Sequence, residues 1–249
     1  MNDEEWLAGR NAVIEGLRSS QSIQKIWVAD GVKKASIQET ITRAKEQNIV
    51  IQTVPKKKLD ALIGHQNHQG IIASIAAHAY ADIETLFSAA SNRGQAPFFI
   101  LCDGIEDPQN LGSILRTADA AGAHGVIIPK RGASGLTSIV AKASAGAISH
   151  VPVVKVTNMA RTMKELKDRG LWIVGSDASG QGDYRELDAS MAIGLVIGSE
   201  GKGMSRLVKE SCDFLYQIPL HGHVTSLNAA VAGSLFMFEV QRKRYPLGR

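Results

Sequence analysis

Three stretches of the 249-residue chain set chemistry-bearing side chains beside glycines: Asn110 and Arg116 in DPQNLGSILRT, Glu200 in IGSEGKGM, and Ser226 with Asn228 in IPLHGHVTSLNAA. The last begins as the end of an apolar strand. Pro219, which has no N–H to donate, stops the pairing, and residues 220–226 lead into a helix. A loop held between a strand end and a capped helix offers backbone N–H and C=O groups in a fixed arrangement, able to grip a small polar ligand by main chain alone. Each side chain also has a plainer reading. Arg116 and Asp119 are spaced for a surface ion pair worth roughly a few tenths of a kcal/mol, although Gly112, one turn earlier, would leave the guanidinium room to face a ligand. Asn110 and Ser226 stand where helix N-caps belong, and Glu200 follows a strand end as a solvated turn residue would.

Several chemistries are excluded by spacing. A P-loop needs glycine five positions before its Gly-Lys pair and Ser or Thr after the lysine, whereas position 196 is Val and position 203 is Gly. The segment DGIEDPQN stands where a Rossmann G-x-G-x-x-G would follow the strand, so no dinucleotide-type grip is expected. His221 and His223 form an H-x-H pair, but no Cys or third His lies nearby in sequence, and no metal is expected.

The elements that must position these residues fall into two groups. Residues 4–19 have a helical pattern, followed by strand 23–29, helix 35–47, strand 49–54, a short helix 56–62 and strand 71–77. This is a small α/β unit, taken as residues 1–77. A stretch richer in Ala, Ser, Asn and Gly, 78–96, reads as a linker with a short helix possible at 82–90. Beyond it, strands are expected at 98–102, 125–129, 152–156, 171–175, 193–198 and 214–218, and helices at 110–122, 137–146, 158–169, 203–211 and 226–243. Apolar strands alternating with helices predict a parallel sheet covered on both faces. In the last helix Leu227, Val231, Leu235 and Phe238 recur at helical spacing.

Net charge is +4 and 44% of residues are apolar, which favours a polyanionic partner within an ordinary soluble α/β class. Cys102 and Cys212 lie far apart, Cys102 in an apolar strand, so a reducing compartment fits better than a disulfide. The N-terminus MNDEEWLAGR is acidic and has no apolar segment, and no run approaches the ~20 apolar residues of a membrane span. A cytoplasmic protein is expected.

In chain order, DPQNLGSILRTADAAG, IGSEGKGM and IPLHGHVTSLNAA resemble the three motifs of the SpoU/TrmH branch of the SPOUT RNA methyltransferases, over residues 97–243. GRNAV at 9–13 and HQG at 68–70 look like the bacterial large-subunit rRNA guanosine 2'-O-methyltransferases, the RlmB type. The resemblance implies an α/β fold: a C-terminal SPOUT domain, residues 97–249, with a mostly parallel sheet and a trefoil knot, behind a small L30e-like RNA-binding domain. It implies S-adenosyl-L-methionine as cofactor, cupped by main chain at Ile197, Gly198, Ile218, Leu220 and Leu227. The glycines 198, 201 and 203 then read either as places of close ligand approach or as turn geometry. Arg116, Asn110, Glu200, Ser226 and Asn228 become the catalytic group for attack of a ribose 2'-hydroxyl, with Glu200 holding Arg116 or a substrate hydroxyl. Family proposals have the arginine activate that hydroxyl. Its pKa above ~12 suits it better to holding a phosphate and the developing alkoxide. The implied partners are large-subunit rRNA, guanosine near the peptidyl-transferase centre, and a second copy of the chain, with neither membrane nor DNA. A tRNA substrate and a catalytically silent assembly factor are the alternatives. Lys56, Lys57, Lys58, Arg10 and the tail Arg242, Lys243, Arg244 are phosphate-contact candidates, and 68–70 is either a turn into a strand or an RNA contact.

Overall fold

The computed structural model describes residues 6–19, 23–64, 67–75 and 78–247. The chain divides into two compact units, residues 80–134 with 140–249 forming the larger and residues 135–139 grouping with the smaller N-terminal one.

The smaller unit carries a four-stranded sheet of order β1-β4-β2-β3, with β1 Trp6–Ala8, β2 Ile23–Ala29, β3 Val50–Val54 and β4 Ile71–Ile75. Strands β2 and β3 are parallel, while β4 runs antiparallel to both β1 and β2. Helices α1 Arg10–Arg18 and α2 Gln38–Glu46 cover one face through Val13, Leu17 and Ala44, joined by Ile37 just before α2. Helix α3 Lys56–Ile63 covers the other through Leu59, against Ile72, Trp6 and Trp27. The predicted helix 4–19 is therefore corrected: Trp6 to Ala8 pair as a strand, and Gly9 at φ +95° turns the chain before α1 starts. Residues 4 and 5 of that prediction, and 76–77 of the predicted third strand, lie outside the described residues.

The larger unit is built on a seven-stranded sheet of order β7-β6-β5-β10-β8-β11-β9, and every pairing in it is parallel. The strands are β5 Phe98–Asp103, β6 Gly125–Pro129, β7 Val153–Val156, β8 Trp172–Ser176, β9 Gly182–Asp183, β10 Ile193–Gly198 and β11 Phe214–Gln217. Strands β5 and β10 sit centrally and are buried along five of their six residues, so alternate side chains feed two cores. Phe99, Leu101 and Val196 join one core with Leu86, Met163 and Val208. These come from α4 Ile83–Asn92, α7 Met159–Asp168 and α8 Arg206–Glu210. Against the other face lie α5 Pro108–Ala120 and α9 Ala229–Arg244, which pack together and share a Thr117–Ser234 hydroxyl contact of 3.0 Å. Helix α6 Ser138–Ala143 packs against α5.

The six strands expected from apolar runs are present; the two-residue β9 was too short to leave a pattern. The stretch 78–96 contains α4, whose start is capped by Asp82 accepting from the Thr85 amide at 2.8 Å. The apolar stripe read in α9 is not the face that the helix buries. Val231, Leu235 and Phe238 are 50%, 37% and 46% exposed, and the helix instead buries Ala230, Gly233, Phe236, Met237 and Val240. Helix α9 is apolar on both sides, and close approach selects the side with the small residues: a Cβ on Gly233 would lie 2.3 Å from Ile197 Cδ1 on β10. Among the described residues no helix is long and apolar enough to cross a membrane.

Candidate functional site

The carboxyl ends of β5 and β10, neighbours at the centre of the sheet, open into a crevice of the kind where parallel sheets hold ligands. At the end of β10 the chain doubles back tightly, Ser199 and Gly203 exchanging backbone hydrogen bonds of 3.0 and 2.9 Å. A Cβ on Gly198 would stand 2.4 Å from the Gly203 carbonyl carbon and the Met204 nitrogen. Gly201 and Gly203 have φ of +78° and +65°. Of the two readings of these glycines, the loop's own geometry accounts for all three. Asp103 at the end of β5 braces the far side of the loop, accepting from the Ser205 amide at 2.6 Å.

Two cavities flank this loop. One, of about 440 Å³, is lined by Ile197, Gly198 and Glu200 from the end of β10, by Ile218 and Leu220 after β11, and by Ser226, Leu227 and Ala229 at the approach to α9. All five residues singled out for the cofactor thus meet around one space, together with Ser176, Asp177 and Ala178 from the end of β8. The other, of about 510 Å³, is lined by Asp103, Glu106, Asp107, Asn110 and Arg131 and shares Ser199, Glu200, Lys202 and Gly203 with the first.

Glu200 stands between the cavities and is held from two elements. Its Oε1 accepts from Asn110 Nδ2 at 3.1 Å, from Asn228 Nδ2, and from the Ala229 amide at 3.4 Å. Asn228 Nδ2 also donates to Asn110 Oδ1 at 2.8 Å. The carboxylate sits at the start of α9, where the helix dipole favours negative charge. Asn228 Oδ1 meanwhile accepts from the Ala230 and Val231 amides at 2.9 and 3.1 Å. Asn228, not Ser226, is therefore the N-cap of α9, and Ser226 lies exposed on the cavity wall. Likewise the cap of α5 is Asp107, accepting from the Gln109 amide at 2.9 Å, with Pro108 in the first helical turn. Asn110 lies inside the helix, leaving its amide free for Glu200.

Arg116 is placed differently from the rest. It lies exposed on α5, lines neither cavity, and has no ion-pair partner among the described residues, so neither Asp119 nor Glu200 holds it. Gly112 does not make room for it: a Cβ there would lie 2.4 Å from that of Ala143, so the glycine serves the packing of α5 on α6. The basic tail is largely consumed by the fold. Arg242 pairs with Glu239 at 2.8 Å, Lys243 donates to the carbonyls of Arg185 and Leu187, and Arg244 to those of Ala189, Ala96 and Met191. The segment 68–70 is a turn into β4, with His68 buried between Asp60 (2.9 Å) and the Gly70 amide (3.0 Å). His221 and His223 are exposed in the loop before α9.

Sequence reasoning missed Glu106, Arg131 and Lys202 of the second cavity. A signal existed for two of them, since residues just past the carboxyl ends of adjacent parallel strands line the crevice; Glu106 and Arg131 follow β5 and β6 directly.

Comparison with known proteins gives a consistent picture. The profile of the SpoU rRNA methylase family matches residues 97–238, and that for RNA 2'-O ribose methyltransferase substrate binding matches residues 6–81. A Bacillus subtilis protein assigned to the TrmH family of tRNA/rRNA methyltransferases is 56% identical over 244 residues, covering 98% of each chain. Among solved structures, the SpoU methyltransferase AviRb of Streptomyces viridochromogenes, in complex with AdoMet, superimposes with a TM-score of 0.62 at 23% identity, over 97% of this chain and 91% of its own. An AdoMet-bound rRNA methyltransferase from Sinorhizobium meliloti follows at 0.59 and 23%, over 96% and 87%. At that identity both speak for the fold.

Proposed function

Because the chain belongs to the SpoU/TrmH family of RNA methyltransferases, we propose that it methylates a ribose 2'-hydroxyl of RNA with S-adenosyl-L-methionine, most specifically a guanosine of 23S rRNA near the peptidyl-transferase centre, in the cytoplasm. The observation that carries this reading is the cavity at which Ile197, Gly198, Ile218, Leu220 and Leu227 meet, with Glu200 at its rim. Its volume is within the ~300–1,000 Å³ of small-molecule sites, and its lining mixes strand-end backbone with apolar side chains. Those residues suit a cofactor with an adenine ring and a charged amino-acid end. S-adenosyl-L-methionine supplies there a methyl group on an electrophilic sulfonium.

The chain's own residues then have to seat and polarise the hydroxyl. Glu200 Oε1 is occupied by Asn110, Asn228 and Ala229, which restrains the carboxylate and leaves Oε2 to accept from a substrate hydroxyl. The second cavity, with Arg131 and Lys202 on its wall, receives the nucleotide. Ser226 positions substrate from the other side. Arg116 holds the phosphate beside the target and stabilises the developing alkoxide, while water or phosphate takes the proton.

Two copies act together in this reading. The exposed apolar face of α9 supports a homodimer, and Arg116, remote from both cavities of its own chain, serves those of its mate. Residues 1–77 grip folded rRNA and residues 97–249 carry cofactor and chemistry, joined through 78–96.

The test is methyl transfer from labelled S-adenosyl-L-methionine to total RNA of a strain lacking the gene, with 2'-O-methyl positions mapped by resistance to alkaline cleavage. One protected guanosine in 23S rRNA is expected. A protected tRNA nucleotide would redirect the substrate, and cofactor binding without transfer to any RNA would leave only a silent assembly factor.

A further inference from the structure

A third cavity lies within the smaller unit and takes no part in the chemistry above. It encloses about 500 Å³, and its lining includes Arg10, Asp30, Gly31, Lys33, Lys56 and Gly70. Three cations reach it from separate stretches: Arg10 from the start of α1, Lys33 from the loop after β2, and Lys56 from the start of α3. Asp30 is the one acidic residue in that lining. Two other cations of the unit, Arg18 and Arg43, pair with Glu39 at 2.8 and 2.9 Å. Arg10, Lys33 and Lys56 have no ion-pair partner among the described residues.

The site is also built. Arg10 Nε is closed off from solvent with no acceptor among the described residues, an arrangement that folded proteins seldom tolerate unless something fills it. Gln69 at φ +50° and Gly70 at φ +80° form the neighbouring turn, which His68 fastens through the Gly70 amide. The turn in turn accepts from the Arg10 amide through Gln69 Oε1 at 3.4 Å and from the Ala29 amide through Gly70 O at 2.8 Å. A Cβ on Gly70 would lie 2.6 Å from Val32 Cγ2, so this wall tolerates no side chain. The Ser36 hydroxyl donates to Lys33 O at 2.6 Å and fixes the third wall. Further along α3, Lys58 stands near Lys25, whose pKa is lowered by burial and by that second positive charge.

We propose that this cavity seats a backbone phosphate of the RNA substrate, with Arg10, Lys33 and Lys56 donating to its non-bridging oxygens. The inference rests on the reading of the chain as an RNA methyltransferase and names where its N-terminal unit takes hold. Three converging donors around one small space suit a tetrahedral anion. Lys57, exposed at the next position of α3, is available to the neighbouring phosphate of a continuous strand. A free phosphate ion shares this chemistry; only a polyanionic strand engages the cavity and its surroundings together.

The experiment measures binding of the full chain to total RNA from a strain lacking the gene, by filter retention across a range of salt. The doubly substituted Lys33→Gln, Lys56→Gln protein is the principal variant, because both side chains are exposed and the fold does not depend on them. Arg10→Gln is added to it, and Lys45→Gln, an exposed cation outside the cavity, is the control. The double variant should bind roughly tenfold more weakly at 0.1 M salt, with the slope of log affinity against log salt shallower by about 1.4. Its KM for RNA should rise while kcat and the affinity for S-adenosyl-L-methionine stay unchanged. Ten millimolar inorganic phosphate should weaken RNA binding by the parent chain more than by the variant. Equal affinity and equal slope for parent and double variant would overturn the phosphate site while leaving the methyltransferase reading intact. A parent chain that neither binds nor methylates RNA would overturn both.

Discussion

Glu200, Asn110 and Asn228 form a hydrogen-bonded group in which one residue has two duties. Asn228 caps α9 through its carbonyl and restrains Glu200 through its amide, so substitutions can separate stability from chemistry. Asn228→Ala loses both and should cost about 1 kcal/mol of stability together with most methyl transfer. Asn228→Ser keeps a capping oxygen but no amide, and should lose activity with a change in urea midpoint that is close to zero. Arg116→Lys keeps charge and discards the planar fork, so kcat/KM should fall at least about tenfold; near-normal turnover would show that no bidentate contact is made. A separate residue ties the stability of the fold to pH. His124 is buried, accepts from the Phe98 amide at 3.1 Å and faces Gln95 at 2.9 Å; burial, with Arg93 and Arg244, lowers its pKa to about 4. The unfolded chain, near its ordinary 6.5, binds the proton first, so stability is full above pH 6.5 and is lost as pH falls to about 4. The expected loss is on the order of 2–3 kcal/mol, and His124→Gln should flatten that stretch of the stability curve. The residues that gather at the crevice were legible at this scale, because unusual side chains stood beside strand ends and glycines, although Arg116 stands apart from both cavities. Their partners were not: Glu200 was expected on Arg116 or a substrate hydroxyl, and within the chain it is found on two asparagines, 90 and 28 residues away, pairings that no local spacing encodes.

At the scale of elements, the strands were readable because the central ones are buried on both faces and so are continuously apolar. Helix ends were less so. Both Ser226 and Asn228 are good capping types, and only the path of the loop into Glu200 decides for Asn228. The same held for Asn110 and Asp107, where Pro108 marks the true start. The turn after β10 is the element on which both cavities depend, and it has no slack. Gly198→Ala would drive a methyl group into the backbone of Gly203 and Met204, where no rotamer change relieves it. It should cost roughly 1–3 kcal/mol and abolish cofactor binding by calorimetry. Gly201→Ala meets nothing within 4 Å and carries only the strain of φ +78°. It should be the milder change in thermal unfolding, about 1 kcal/mol.

For the molecule as a whole, the periodicity of α9 announced a helix but not which of its sides is buried, and the reason is informative. A helix apolar on two sides has one side to give its own sheet and another to give elsewhere. Val231, Leu235 and Phe238 remain on the surface of one chain, on the helix that packs against the α5 bearing Arg116. A two-fold pairing of this face would be isologous, so each copy would lend the other what it lacks. Leu235→Glu with Phe238→Glu should therefore yield monomers by sedimentation that retain cofactor affinity and lose methyl transfer. Mixed subunits give the sharper measurement. Chains with Arg116→Ala and chains with Glu200→Gln should each be inactive as homodimers. Co-expressed, half of the dimers combine the two kinds. If Arg116 acts across the interface, one site in each mixed dimer is intact, and activity should recover to about a quarter of the parent value. If Arg116 serves its own chain, every site carries a defect and the mixture stays inactive.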